Sequence, residues 1–169
     1  MKHLLDWKTF ENINSKEDLP DVKKAKDETK QKEDKLKDYK LIRSKIESLF
    51  NSDKDISQIE KSVEDILSDI PDGESDLINK FVKIMRLKKK IEFSKDQSAE
   101  DKERLSQYSK NKSDPEISDK IVYMNNKKKI FNKEFDNLKK EFNQLTKSHE
   151  LEVSNISSEV KKNKSELGI

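Results

Sequence analysis

Residues 114–156 read "DPEISDKIVYMNNKKKIFNKEFDNLKKEFNQLTKSHELEVSNI". One seam runs through them at Ile117, Ile121, Met124, Lys128, Phe131, Phe135, Leu138, Phe142, Leu145, His149, Glu152 and Ile156. Every step is three or four residues, the register of a helix that shows one edge to a neighbour. Asp114, Pro115 and Glu116 make a helix start: a capping carboxylate, a proline whose missing N–H costs nothing at the first helical position, and an acid near the positive end of the dipole. No proline or glycine interrupts residues 116–167. At about 1.5 Å per residue the expected helix reaches roughly 70 Å. A helix with so narrow an apolar edge depends on tertiary packing. The seam residues Ile117, Ile121, Met124, Phe131, Phe135, Leu138, Phe142, Leu145 and Ile156 therefore call for a partner: an earlier helix, a second copy or another protein.

Working back toward the N-terminus, the same period returns three times. Val22, Ala25, Thr29, Leu36, Tyr39, Ile46 and Phe50 form a stripe interrupted by Lys32 and Arg43. The pattern turns helical at Asp21; its first half is weakly apolar and open to fraying, whereas residues 36–50 make a firm helix. After "NSDKD", Ile56, Ile59, Val63, Ile66, Leu67 and Ile70 predict a second helix, with Asp55 and Gln58 spaced as in a capping box. "PDG" at residues 71–73 ends it. Ser75 or Asp76 caps a third helix through Leu77, Phe81, Ile84, Met85 and Ile91. It either stops near Phe93 or bends at "SKDQS" and continues to Tyr108. The expected organisation is an N-terminal segment 1–14, a linker 15–20, a helical region 21–110, a loop 111–114 and the long amphipathic helix 115–165. The fold class is all-α: an elongated helical bundle or hairpin with a coiled-coil-like C-terminal helix.

Composition agrees. Of 169 residues, 43% are charged and 30% hydrophobic, against about 25% charged in ordinary domains. A compact sphere would lack apolar filling, while the near balance of 35 acids and 37 bases departs from the high net charge of disordered chains. Two glycines leave little for the tight turns of a sheet protein. The absence of cysteine excludes disulfides, thiolate metal sites and thiol catalysis. No apolar run approaches the roughly 20 residues of a membrane span, and no secretory signal is legible, so an intracellular, soluble protein is expected.

"MRLKKKIEF" at Met85 and "MNNKKKIFN" at Met124 share a methionine followed by KKKI, and Ile78 matches Ile117 at the same offset. The echo is either a duplicated helix or coincidence in a lysine-rich chain.

Candidate chemistry is sparse. "HELEV" at His149 begins like a helical zinc motif, but Val153 stands where the second imidazole must be. Asp53, Asp55, Ser57 and Glu64 fit positions of a calcium loop, yet Gln58 replaces the turn glycine and Glu60 the aliphatic position, which favours capping roles. Lys88, Lys89 and Lys90, and Lys127, Lys128 and Lys129, offer phosphate contacts, but interspersed acids favour solvated helix faces. With no glycine-rich phosphate loop and no local nucleophile set, we expect no enzyme, no cofactor and no metal. Nucleic-acid or regulatory binding through the lysine clusters is the alternative to a structural role.

The opening "MKHLLDWKTFENIN" carries the lone tryptophan. Leu4, Leu5, Trp7, Phe10 and Ile13 spread over half a helical wheel, which argues against a membrane-surface helix. Either they pack onto the helical body, or they form a docking anchor on a charged tether, since tryptophan and phenylalanine bury much area with few rotors.

In Met1, Lys2, Phe10 and Glu11, with Trp7 in an aromatic slot, this segment resembles the short N-terminal tags of small proteins encoded by tailed bacteriophages. In internal head proteins of the contractile-tailed group such tags direct the protein into the assembling capsid. The resemblance implies a scaffold, internal head or other virion component with capsid or other virion proteins as partners. It covers about fourteen residues. The head protease of that group cuts after a glutamate preceded two residues earlier by leucine or isoleucine. This chain holds no such triplet, so the resemblance implies a retained tag or a different protease.

Overall fold

The computed structural model describes residues 20–71, 75–110 and 115–169. These form four helices and no strand: α1 (Pro20–Phe50), α2 (Ile56–Ser68), α3 (Ser75–Ser109) and α4 (Pro115–Leu167). The fold is all-α, and α4 is the expected long C-terminal helix, 53 residues without a break.

Local chemistry sets the ends. Asp21 and Glu116 lie in the first turns of α1 and α4, where the dipole favours an acid. At the end of α1, Ser52 Oγ donates to the Leu49 carbonyl at 2.6 Å, and Asn51 N donates to the Glu47 carbonyl at 3.1 Å. Both bonds satisfy carbonyls that the helix leaves without an intrahelical donor. The last residues of α4 close in a Schellman turn. Gly168 adopts φ 65°, and Ile169 N donates to the Lys164 carbonyl at 3.1 Å, a conformation in which glycine avoids the side-chain penalty.

Three expectations meet the structure here. The first half of α1 is helical from Pro20, because Thr29 is buried and Val22 and Ala25 are half-covered. Helix α3 does not stop near Phe93; it continues without a break through "SKDQS" to Ser109, the longer of the two expected courses. Asp55 does occupy the N-cap of α2 with extended backbone, but its side chain makes no capping bond. The Asp55 carbonyl instead accepts from Gln58 N and Ile59 N, each at 3.0 Å, so the backbone carries the turn. Residues 111–114, the expected loop, and the glycine of "PDG" lie outside the described residues.

Two compact units are present, and α1 and α4 contribute to both. One pairs the described chain up to Leu41 with Leu151–Ile169. Thr29, Leu36, Tyr39 and Val160 are buried there, and Glu33 bonds Lys164 while Lys32 bonds Glu159 across the pair.

The other unit is Ile42–Glu150. Its core is Ile46 and Phe50 from α1, Ile59 and Val63 from α2, and Ile78, Phe81, Val82, Ile84, Met85, Leu87 and Ile91 from α3. Five of these, Ile46, Phe50, Ile59, Val63 and Val82, are at most 1% exposed. The seven buried residues of α3 lie within 14 positions, too dense for a single stripe, so this part of α3 is covered on more than one side. The Glu60 carboxylate of α2 takes the Arg86 guanidinium of α3 through both oxygens, fixing one of those neighbours.

Candidate functional site

The sequence seam of α4 is its least exposed face in this unit. Ile117, Ile121, Met124, Phe131, Phe135, Leu138, Phe142 and Leu145 are half-covered, and His149 is buried. Ile156, the remaining seam position, is half-covered in the unit formed with the first part of α1. The seam packs along α3 in the antiparallel sense: Phe81 meets His149, Lys83 meets Glu141, and Asp101 meets Lys127.

Burial changes abruptly along this pair. Beyond Ile91 no described residue of α3 is buried, and none of α4 is buried before His149. Residues 92–110 and 115–137 therefore form a two-helix layer in which each helix covers only one side of the other. A pair of helices leaves a groove on each face, and a third element is needed to bury the seam.

One such groove is broad, about 540 Å³, and lined by Lys95, Ser98, Ala99 and Lys102 of α3 with Lys128, Phe131, Asn132 and Phe135 of α4. It narrows toward Asp101, Leu105 and Met124. The Phe131 and Phe135 rings stack with centroids 5.5 Å apart and planes 18° from parallel. The Lys139 ammonium lies 4.4 Å above the Phe135 ring, a cation–π contact. Lys95, Lys102, Lys128 and Lys139 form no ion pair with any described residue. Asp101, a carboxylate at the narrow end of this surface, is held by Lys127 at 2.8 Å. The groove thus offers an aromatic floor and a cationic rim whose four ammonium groups are paired with no carboxylate among the described residues.

No known protein family, curated protein or solved structure matches this chain.

The other sequence candidates land elsewhere. Ser57 and Glu64 lie within the continuous helix α2, exposed, and no turn brings them around a cation with Asp53 and Asp55. Among the described residues no three histidine or acidic side chains gather to hold a metal ion. His149 packs its ring 5.8 Å from Phe81 in the core. Lys89 pairs with Glu92 at 3.6 Å and Lys127 with Asp101, so two of the six clustered lysines are engaged. Leu4, Leu5, Trp7, Phe10 and Ile13 lie outside the described residues. No helix among the described residues is long and apolar enough to cross a membrane.

Reading the lysines as runs missed the groove. Lys95 and Lys102 stand seven apart on one face of α3, and Lys128, Asn132, Phe135 and Lys139 recur at four, seven and eleven on one face of α4. That spacing, not adjacency, gathers them.

Proposed function

We propose that this chain is a non-enzymatic helical structural or assembly protein that docks to a larger partner. The observation that supports the reading most directly is the half-covered seam from Ile117 to Phe135, facing α3 along a layer only two helices deep. A catalytic protein builds a water-excluding pocket around polar groups. This chain instead spends its regular structure on helix edges that await cover. The N-terminal resemblance narrows the proposal to a phage scaffold, internal head or other virion component, with residues 1–14 as the anchor.

Co-purification tests it. The full chain and a chain lacking residues 1–14 are each produced beside the capsid and neck proteins encoded by neighbouring genes. The expected result is that assembled particles retain the full chain and not the truncated one, at unchanged helicity. Equal recovery of both ends the anchor role, and recovery of neither ends the assembly reading.

A nucleic-acid-binding role is the second reading, favoured by Lys95, Lys102, Lys128 and Lys139, which pair with no carboxylate among the described residues. Phosphate contacts weaken steeply with salt. Absence of binding to duplex or single-stranded DNA at low salt dismisses it.

A further inference from the structure

The occupant of the groove is constrained by its chemistry. Its floor is apolar and its rim carries four ammonium groups over about four helical turns, in a chain whose net charge is only +2. A field of one sign in a cleft recruits the opposite sign. Two antiparallel helices with a shallow groove between them accept a third helix, which presents an apolar stripe at three- and four-residue spacing. A peptide that adds as a β-strand would need a sheet edge, and none exists among the described residues.

A second copy seated by two-fold symmetry would set this lysine rim against itself, a like-charge contact that disfavours the pairing. A nucleic-acid strand would need open ring faces for its bases. Phe131 and Phe135 stack on each other, and Lys139 covers the Phe135 ring.

We propose that the groove between residues 95–105 of α3 and 124–139 of α4 docks an acidic amphipathic helix of another protein. The apolar stripe of that helix lies on Met124, Phe131 and Phe135, and its carboxylates reach Lys95, Lys102, Lys128 and Lys139. This deepens the assembly reading by naming the chemistry of a partner.

The test titrates the full chain into a labelled synthetic peptide of about 18 residues, with leucine at helical positions and glutamate between them. Matched peptides carry glutamine or lysine in place of glutamate, and anisotropy reads binding. The glutamate peptide is expected to bind at least about tenfold more tightly than the glutamine one, and more weakly as salt rises. The double variant K102E/K128E is expected to lose that affinity by about tenfold and to gain the lysine peptide. Gain of a new ligand shows that the variant is folded, and circular dichroism checks its helicity independently.

Equal binding of the glutamate and lysine peptides overturns the proposal. So does binding of an oligothymidylate in preference to the peptide, which assigns the groove to nucleic acid. A mass that doubles with concentration and is restored to monomer by K102E/K128E assigns it to a second copy. Particle recovery of the full chain reads the assembly role separately, so loss of peptide binding with retained particle recovery refutes the groove alone.

Discussion

His149 and Phe81, 68 positions apart, hold their rings 5.8 Å from centroid to centroid with planes tilted by 33°. Arg43 of α1 places its guanidinium carbon 4.9 Å from the same Phe81 ring. Three helices thus meet at one side chain, and the antiparallel register of α3 and α4 is set there. Phe81 is 4% exposed. Phe81→Ala removes the ring from all three neighbours and is expected to cost about 3–5 kcal/mol. That is a large share of the roughly 5–15 kcal/mol of an ordinary domain. Urea denaturation checks it; a loss under about 1 kcal/mol would show that the three helices do not depend on this contact.

The echoed segments supply an internal comparison. Ile91 and Ile130 end the two KKKI strings, yet Ile91 is 8% exposed and Ile130 62%. Identical local sequence has met different neighbours, because Ile91 is buried at the edge of the core and Ile130 lies exposed on the two-helix layer. Ile91→Ala is expected to destabilise by about 2–4 kcal/mol, and Ile130→Ala by no more than about 0.5 kcal/mol. Similar losses in thermal unfolding would mean that the region around Ile130 is covered in solution.

Arg86 and Glu60 tie α2 to α3. Nε lies 2.9 and 3.0 Å from the two carboxylate oxygens, and Nη2 also donates to Oε2. The bond to Glu60 raises the guanidinium pKa above its already high ordinary value, so Arg86 stays charged throughout the accessible pH range. Both side chains keep contact with water, so solvent limits the strength of the pair. A double-mutant cycle with Arg86→Ala and Glu60→Ala is expected to return a coupling of about 0.5–1 kcal/mol. Additive losses would assign the pair no role in placing α2.

What the sequence carried most legibly was periodicity. The α4 seam and the α1 stripe both coincide with the covered faces, including Thr29 in the half open to fraying. Low apolarity alone points to fraying there, but Leu151–Ile169 packs in the same unit and ion-pairs with Lys32 and Glu33. A long-range partner outweighs local propensity, and spacing within one segment does not encode it. The continuity of α3 past Phe93 was ambiguous because Ser94, Lys95, Asp96, Gln97 and Ser98 contain no glycine or proline, only polar residues. Such residues neither break a helix nor drive one, and Asp101, held by Lys127 of α4, anchors the stretch beyond them. The groove was illegible for the same reason: its rim comes from two helices whose register is fixed by contacts such as that of Phe81 with His149.

Acid sensitivity offers the last test, in the unit that pairs the described chain up to Leu41 with Leu151–Ile169. Lys164 bonds the Glu33 carboxylate at 2.8 Å, and Lys37 lies 3.5 Å from its other oxygen. The hydrogen bond from Lys164, with the charges of Lys164 and Lys37, holds the Glu33 pKa below the ordinary glutamate value of 4.5. A carboxyl with a depressed folded pKa binds its proton more readily when unfolded. Its stabilisation is therefore fully present above the unfolded value and is lost as pH falls through the folded one. Glu33 is well solvated, so the effect is small, and it appears as a difference between proteins rather than in either alone. The melting temperature of Glu33→Gln is expected to lie below that of the unaltered chain at pH 6 and to converge with it as the pH is lowered toward 3. Lys164→Met should reproduce the pattern, since it removes the donor and leaves the acid. A gap between the unaltered chain and Glu33→Gln that is constant from pH 6 to 3 would show that the carboxylate charge at Glu33 contributes nothing to the pairing of α1 with α4.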